Sequence, residues 1–137
     1  MAKVTTYNPK KVTIALGNHI VTGVAEDSFI TIESEGDGTT HVAGAFGEVV
    51  RSVDPSNVYT LQLGLLQSAE TNKWLQTKYK QDKEDGTGTF SVNINDIMGN
   101  EKFVASTAWV QKVPAWTRGK QAQSITWTII VGDGEFK

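Results

Sequence analysis

The 137-residue chain contains no cysteine, which excludes disulfides, thiolate metal sites, iron–sulfur clusters and cysteine nucleophiles and leaves packing and backbone hydrogen bonds to stabilise it. Proline is scarce: there are three, and none falls inside residues 11–16, 28–34, 57–66 or 123–131, so nothing there forbids strands from pairing edge to edge. No apolar run approaches the roughly 20 residues that a helix needs to cross a bilayer. The opening Met1-Ala2-Lys3-Val4-Thr5-Thr6 has no signal-peptide apolar segment, so the expectation is a soluble protein made in the cytoplasm with no membrane anchor. Histidine is limited to His19 and His41, each among β-type residues, so a zinc site or a histidine-based triad would need partners that the sequence does not advertise.

What is abundant is β-branched residues. Thr, Val and Ile supply 16, 14 and 9 positions, and such side chains, stiff at χ1, suit a pleated surface better than a helix. At this length one domain covering residues 1–137 is expected, large enough to bury a core.

Alternation of apolar and polar residues predicts a hairpin over 11–24 around Gly17-Asn18, a dipeptide that tolerates positive φ. A second run at 28–34 ends in Glu35-Gly36-Asp37-Gly38, which reads as a sharp reversal, with 39–53 returning as another extended stretch. Together they predict a long hairpin or loop arm at about 28–56. Its middle, Ala43-Gly44-Ala45-Phe46-Gly47, is too glycine-rich to make a stable strand alone, so it is either mobile or ordered by a partner. Tyr59, Leu61, Leu63 and Leu65 alternate with Thr60, Gln62 and Gly64, which puts a core on one side of a strand and a polar environment on the other.

Ser68 reads as an N-cap for a helix over about 68–81, on which Thr71, Trp74, Leu75 and Tyr79 share a face suited to packing over a sheet. Residues 81–88 read as an exposed loop. Further strands are predicted at 89–95, at 102–113 before Pro114, and at 123–131, giving seven or eight strands and one helix. Trp109 and Trp127 read as core, and Trp116 as covering a rim or interface.

Chemistry-bearing patterns are weak. The series Glu33-x-Glu35-x-Asp37-Gly38 starts like a calcium loop, but the twelfth position, where a bidentate Glu belongs, is Gly44. Asp85-Gly86-Thr87-Gly88 and Gly119-Lys120-Gln121 lack the spacing of a phosphate loop and read as turns. The carboxylate pairs Glu26 with Asp27 and Asp133 with Glu135 sit near strand ends, where solvated charges are usual. Trp109, Lys112, Trp116, Arg118 and Lys120 interleave aromatic and basic side chains as a stacking platform would, but the net charge of −2 disfavours a groove that tracks a nucleic-acid backbone. No catalytic, metal or cofactor-binding residue emerges, and no enzyme is expected.

Charge is polarised along the chain: residues 1–11 carry +3, 12–57 carry −6, 58–101 carry −2 and 102–137 carry +3. Self-complementary surfaces are one reading of that pattern. Several strands with polar outer faces and unprotected edges also suit closure of many copies into one barrel.

The order of elements, the run from Ser28 through Gly38 to Arg51-Ser52-Val53, and the Leu65-Leu66-Gln67-Ser68 strand-to-helix junction followed by Asn72 resemble tail tube proteins of contractile-tailed bacteriophages, which are related to R-type bacteriocin and type VI secretion tubes. The resemblance implies a mainly β fold with one helix, sandwich- or barrel-like, whose strands join neighbouring subunits of a hexameric ring around an inner β-barrel. It implies head-to-tail stacking with itself, and sheath, tape measure, baseplate and tail terminator proteins as partners. Phage DNA would pass through the lumen without specific binding, in a virion tail assembled in the host cytoplasm. An R-type bacteriocin tube and a monomeric β-barrel module for oligonucleotide or carbohydrate are the alternatives. Under the resemblance Glu33, Glu35 and Asp37 become candidate lumen or rim acids. Lys10, Lys11, Phe46, Glu48, Arg51, Trp116 and Arg118 become candidate contacts between subunits or rings, and Trp74, Leu75 and Tyr79 the helix-on-sheet packing.

Overall fold

The computed structural model describes residues 3–26 and 28–137; Met1 and Ala2 at the start of the chain, and Asp27 of the Glu26–Asp27 pair, lie outside the described residues. The described residues form β1 (Val12–Leu16), β2 (His19–Ile20), β3 (Ile30–Ser34), β4 (Thr39–Ala43), β5 (Val49–Val53), β6 (Tyr59–Leu66), α1 (Thr71–Asp85), β7 (Phe90–Asp96), β8 (Glu101–Lys112), β9 (Ser124–Val131) and β10 (Gly134–Phe136), with a 3-10 turn at Pro9–Lys11. One antiparallel sheet runs β2-β1-β7-β8-β9-β6-β3 with β10 along β8, while β4 and β5 pair with each other in a separate two-stranded sheet. The fold is mainly β with a single helix.

Strict alternation builds the core. Ile14 and Leu16, Leu61, Leu63 and Leu65, Phe90, Val92 and Ile94, and Trp127, Ile129 and Val131 all point inward and, with Leu75 of α1, meet in one buried cluster. The sheet must curl for these faces to meet, and residues after β2 draw its ends together. The Leu66 N–H donates to Gly23 O at 2.7 Å and the Ala25 N–H to Gly64 O at 2.9 Å, so the chain crosses from one end of the sheet to β6 near the other. On β8 a bulge opposite Phe90 and Val92 lets Ala105 and Ala108 both face the core. That shift turns Trp109 outward, so it is half-buried on the far face and not a core residue as its sequence suggested.

Two other expectations are corrected. Glu35-Gly36-Asp37-Gly38 does not fold 39–53 back onto β3; Ile30 and Ile32 pair with Leu63 and Leu61 of β6 instead. A strand's partner is chosen by its apolar face, and only β6 offers β3 a matching one. Left without a partner in the sheet, Thr39–Ala43 pairs locally with Val49–Val53, and the segment is an ordered hairpin within the chain itself.

The helix starts at Thr71, with Glu70 as the residue before it and no side-chain cap, so Ser68 lies in the preceding turn. It runs to Asp85, where Gly86 at φ 74° takes the left-handed conformation that closes it. The residues read as a loop after position 81 continue the helix because Gln, Lys and Glu are good helix formers and no breaker comes before Gly86.

Candidate assembly surfaces

Opposite the core, β3, β6, β9 and the end of β8 present a polar face. Register places Thr31, Gln62, Thr128 and Lys112 abreast across the four strands. Glu33 lies beside Thr60 in the next row, and the Thr60 hydroxyl donates to Glu35 Oε1 at 3.1 Å. That row continues through Ile130 and Trp109, so apart from this apolar pair the face is hydroxyl- and amide-rich, with exposed Glu33 and Glu35 at the side where the chain leaves for the β4–β5 arm, and exposed Asp37 just beyond. Both sides of this four-stranded patch end in open backbone. Among the described residues β3 pairs only with β6, and β8 outruns β7, whose register on it begins at Phe90 opposite Ala108.

The arm buries none of its residues. Its pairing puts His41 opposite Arg51 on one face with Val49 and Val53, and Val42 opposite Val50 on the other. At the tip the Gly47 N–H donates to Gly44 O at 3.0 Å, with Gly47 at φ 88°, and this turn lifts Phe46 until it is 95% exposed. Glu48 follows directly. An exposed phenylalanine and four exposed valines thus gather apolar surface on a two-stranded ribbon that buries none of its residues.

Near the start of α1 a groove of about 420 Å³ is walled by Ala69, Val113, Pro114, Trp116, Ile125 and Trp127. Trp116 is 78% exposed, and the Arg118 guanidinium lies over its ring at 4.3 Å. Asn72 ties the groove floor together. Its side chain donates to Leu66 O at 2.9 Å and accepts the Nε1–H of buried Trp127 at 2.9 Å, locking strand-to-helix junction and β9 to one amide. Sequence reasoning picked out the Asn-containing first turn but not this link, because Trp127 is 55 positions away. Trp109 has different surroundings, against Gly132, so the interleaved aromatic and basic residues do not share one platform.

The helix face is placed by packing: Leu75 is fully buried, Trp74 meets the edge of Phe90 at 5.2 Å, and Tyr79 packs against the core. His19 stacks on Trp74 at 5.0 Å, and its Nε2 bonds the buried Thr71 hydroxyl at 2.9 Å. That hydroxyl also accepts the Thr22 N–H at 3.5 Å, and with its ring stacked and its Nε2 paired His19 is a satisfied packing residue. Lys10 and Lys11 are exposed on the 3-10 turn. Asp85 and Thr87 form a turn in which hydrogen bonds from the Thr87 hydroxyl and N–H hold the Asp85 carboxyl below its usual range. Among the described residues no group of three or more His, Asp or Glu is placed to hold a metal, and no helix is long and apolar enough to cross a membrane.

Residues 12–136 match the family model described as Bacteriophage PhiTE tail tube protein. The chain is 25% identical over 143 residues to Structural protein ORF10 of Pseudomonas phage KPP10, covering 98% of this chain and 83% of that one. In fold it is similar to the cap that terminates the anti-feeding prophage tube, with TM-score 0.64, 9% identity, and 100% and 94% of the two chains covered. It is also similar to a chain of the PVC sheath–tube complex of an extracellular contractile injection system in its extended state, with TM-score 0.60, 10% identity, and 96% and 91% covered.

Proposed function

Because this chain belongs to the bacteriophage PhiTE tail tube protein family, we propose that six copies form a ring and that rings stack head to tail into the inner tube of a contractile tail, which conducts phage DNA into the host. The chain is a structural protein, not an enzyme. The whole chain acts as one unit of the wall: β3, β6, β9 and the end of β8 give four strands to the inner barrel, and α1 lies outside.

The observation that carries this reading is the polar four-stranded face, backed by an apolar core and ending in two unpaired edges. Exposed edges are an aggregation liability in a monomer, and a ring that pairs each β3 with the β8 end of its neighbour removes them. A wall mostly of hydroxyls and amides offers DNA little cationic grip, and Glu33, Glu35 and Asp37 at its rim outnumber Lys112 on it and repel phosphate, so the genome slides. Lys10, Lys11, Glu48, Arg51 and Arg118 then serve contacts within and between rings. A sheath grips the outside and a terminator closes the end, a partnership supported by the likeness to chains of a sheath–tube complex and a tube cap. A tape measure and a baseplate complete the set, and the product resides in the virion tail after synthesis in the host cytoplasm.

Negative-stain microscopy and size-exclusion chromatography of the purified chain test the proposal. Rings or tubes are expected, and a clean monomer at high concentration overturns it.

A further inference from the structure

Taking the polymer reading above as premise, we infer that the loop after β8, with Arg118 stacked on Trp116, seats in the acid-rimmed recess beside Phe29 and Phe136 of a second copy and so joins one ring to the next.

The loop is a knob of defined chemistry. Residues 115–123 are all exposed, and they carry Arg118 and Lys120 with no acid. Trp116 is 78% exposed, and the Arg118 guanidinium lies 4.3 Å from the centre of its ring. Arg118 Nη1 also donates to the Thr117 carbonyl at 2.9 Å, so indole and cation already share one arrangement and lose little freedom when they are buried together. Tryptophan and arginine are the residue types that most often dominate interface energies.

The recess matches the knob in lining and in charge. It encloses about 530 Å³, is lined by Phe29, Ile32, Ile94, Phe103 and Phe136, and has a rim on which Glu26, Asp96 and Glu101 stand against Lys102 alone. Asp96 already accepts the Gly99 N–H at 3.1 Å, which leaves the exposed Glu26 and Glu101 as the carboxylates that a seated cation meets. Other recesses among the described residues fail one test or the other. The one walled by Val12, Val21 and Val24 is apolar but carries Lys10 and no acid. The groove at the start of α1 carries Lys73 and is walled by Trp116 itself. The hollow at Glu35, Asp37 and Asp54 is acidic but offers an indole little besides Val53. The cleft at Glu26 and Ser68 adjoins the loop's own end at Ala122 and is lined mainly by polar side chains.

Position in the fold makes this a contact between copies. β8 is 12 residues long, which spans about 35 Å at the usual rise of a strand. The recess lies at its start, by Glu101 and Phe103, and the loop leaves from its far end, so a chain cannot fill its own recess. Both features sit on the core side of the sheet, since Ile94 and Phe103 beside the recess and Val110 and Trp127 beside the loop all point inward. Stacking subunits head to tail along β8 therefore brings knob to hole. The two surfaces differ, so the contact gives the stack one polarity and repeats from ring to ring without closing.

Trp116→Ser should leave the melting temperature of the monomer unchanged, because the indole is exposed, and should give single rings in negative-stain microscopy where the wild type gives tubes. Such a ring keeps its recess, so adding it to the wild type at about one part in ten should cap growing tubes and shorten them about threefold. Arg118→Glu with Lys120→Glu should raise the concentration needed for stacking about tenfold, and adding Glu26→Lys and Glu101→Lys to the same chain should restore it to within about threefold.

Tubes of wild-type length from Trp116→Ser, loss of the rings themselves in that variant, or charge reversals that give no rescue would overturn the docking and leave the polymer reading intact. Trp116→Ser tubes that form normally but take up no sheath would assign the loop to the sheath instead. A wild-type chain that forms no rings overturns both.

Discussion

Gly88 is buried where the chain leaves α1 for β7, and a Cβ there would run into the Lys78 carbonyl oxygen and come within 2.6 Å of the Asp82 side chain. Backbone cannot step aside as a flexible side chain can. Gly88→Ala should therefore destabilise the monomer by about 3 kcal/mol and lower the melting temperature by roughly 10 °C in calorimetry. Asn72 carries a different kind of burden, since its one amide serves Leu66 O and the buried Trp127 Nε1–H. Asn72→Leu leaves that indole donor buried and unmet, so stability should fall by about 2 kcal/mol in chemical unfolding followed by tryptophan fluorescence. Neither role was legible in the sequence. A glycine in a polar stretch reads as a turn whether or not another element presses on it, and an asparagine in a first helical turn reads as local capping when its partner is a distant strand. Trp109 was misjudged for a related reason: the bulge that turns it outward leaves no mark in the spacing of apolar residues.

Elements were legible where a single periodicity ran without competition. Leu61, Leu63 and Leu65 announced β6, Ile125, Trp127, Ile129 and Val131 announced β9, and Gly17-Asn18 announced the β1–β2 turn, with Gly17 at φ 62°. Boundaries moved where charge imitated a loop, as in Gln81–Asp85, whose helix propensity outweighs its polarity. The arm was the real ambiguity. Its two strands alternate weakly because neither face meets a core, so sequence pattern had no apolar side to report. That lack of burial makes a prediction: replacing residues 39–53 with a short Gly-Ser link should change the stability of the monomer by no more than about 1 kcal/mol, since no buried contact is removed. The same variant should stay monomeric by analytical ultracentrifugation under conditions where the wild type sediments as rings or longer. A large loss of monomer stability would show that the arm belongs to the folding unit rather than to assembly.

At the scale of the whole molecule, the polymer reading turns a mild charge into a strong one. A chain of net charge −2 contributes −12 to a ring of six copies, and the position of those charges decides what the wall does. The polar face of β3, β6, β9 and β8 is mostly uncharged, so the sign felt by a passing polyanion is set by the few ionised groups on and beside it: Glu33 and Glu35, with Asp37 toward the arm, against Lys112. With the acids in excess, phosphate is repelled and held off the wall by its own hydration. Reversing all three acids to lysine moves each subunit from −2 to +4 and gives the lumen the cationic surface that it lacks. DNA would then bind by counterion release, a term that depends steeply on salt. Particles carrying Glu33→Lys, Glu35→Lys and Asp37→Lys should assemble tubes of normal length, because none of the three is buried. They should release DNA roughly tenfold or more slowly at low ionic strength and recover as salt is raised, read by dye binding to the ejected genome after triggering. Release at the wild-type rate across the whole salt range would place these carboxylates away from the path of the DNA.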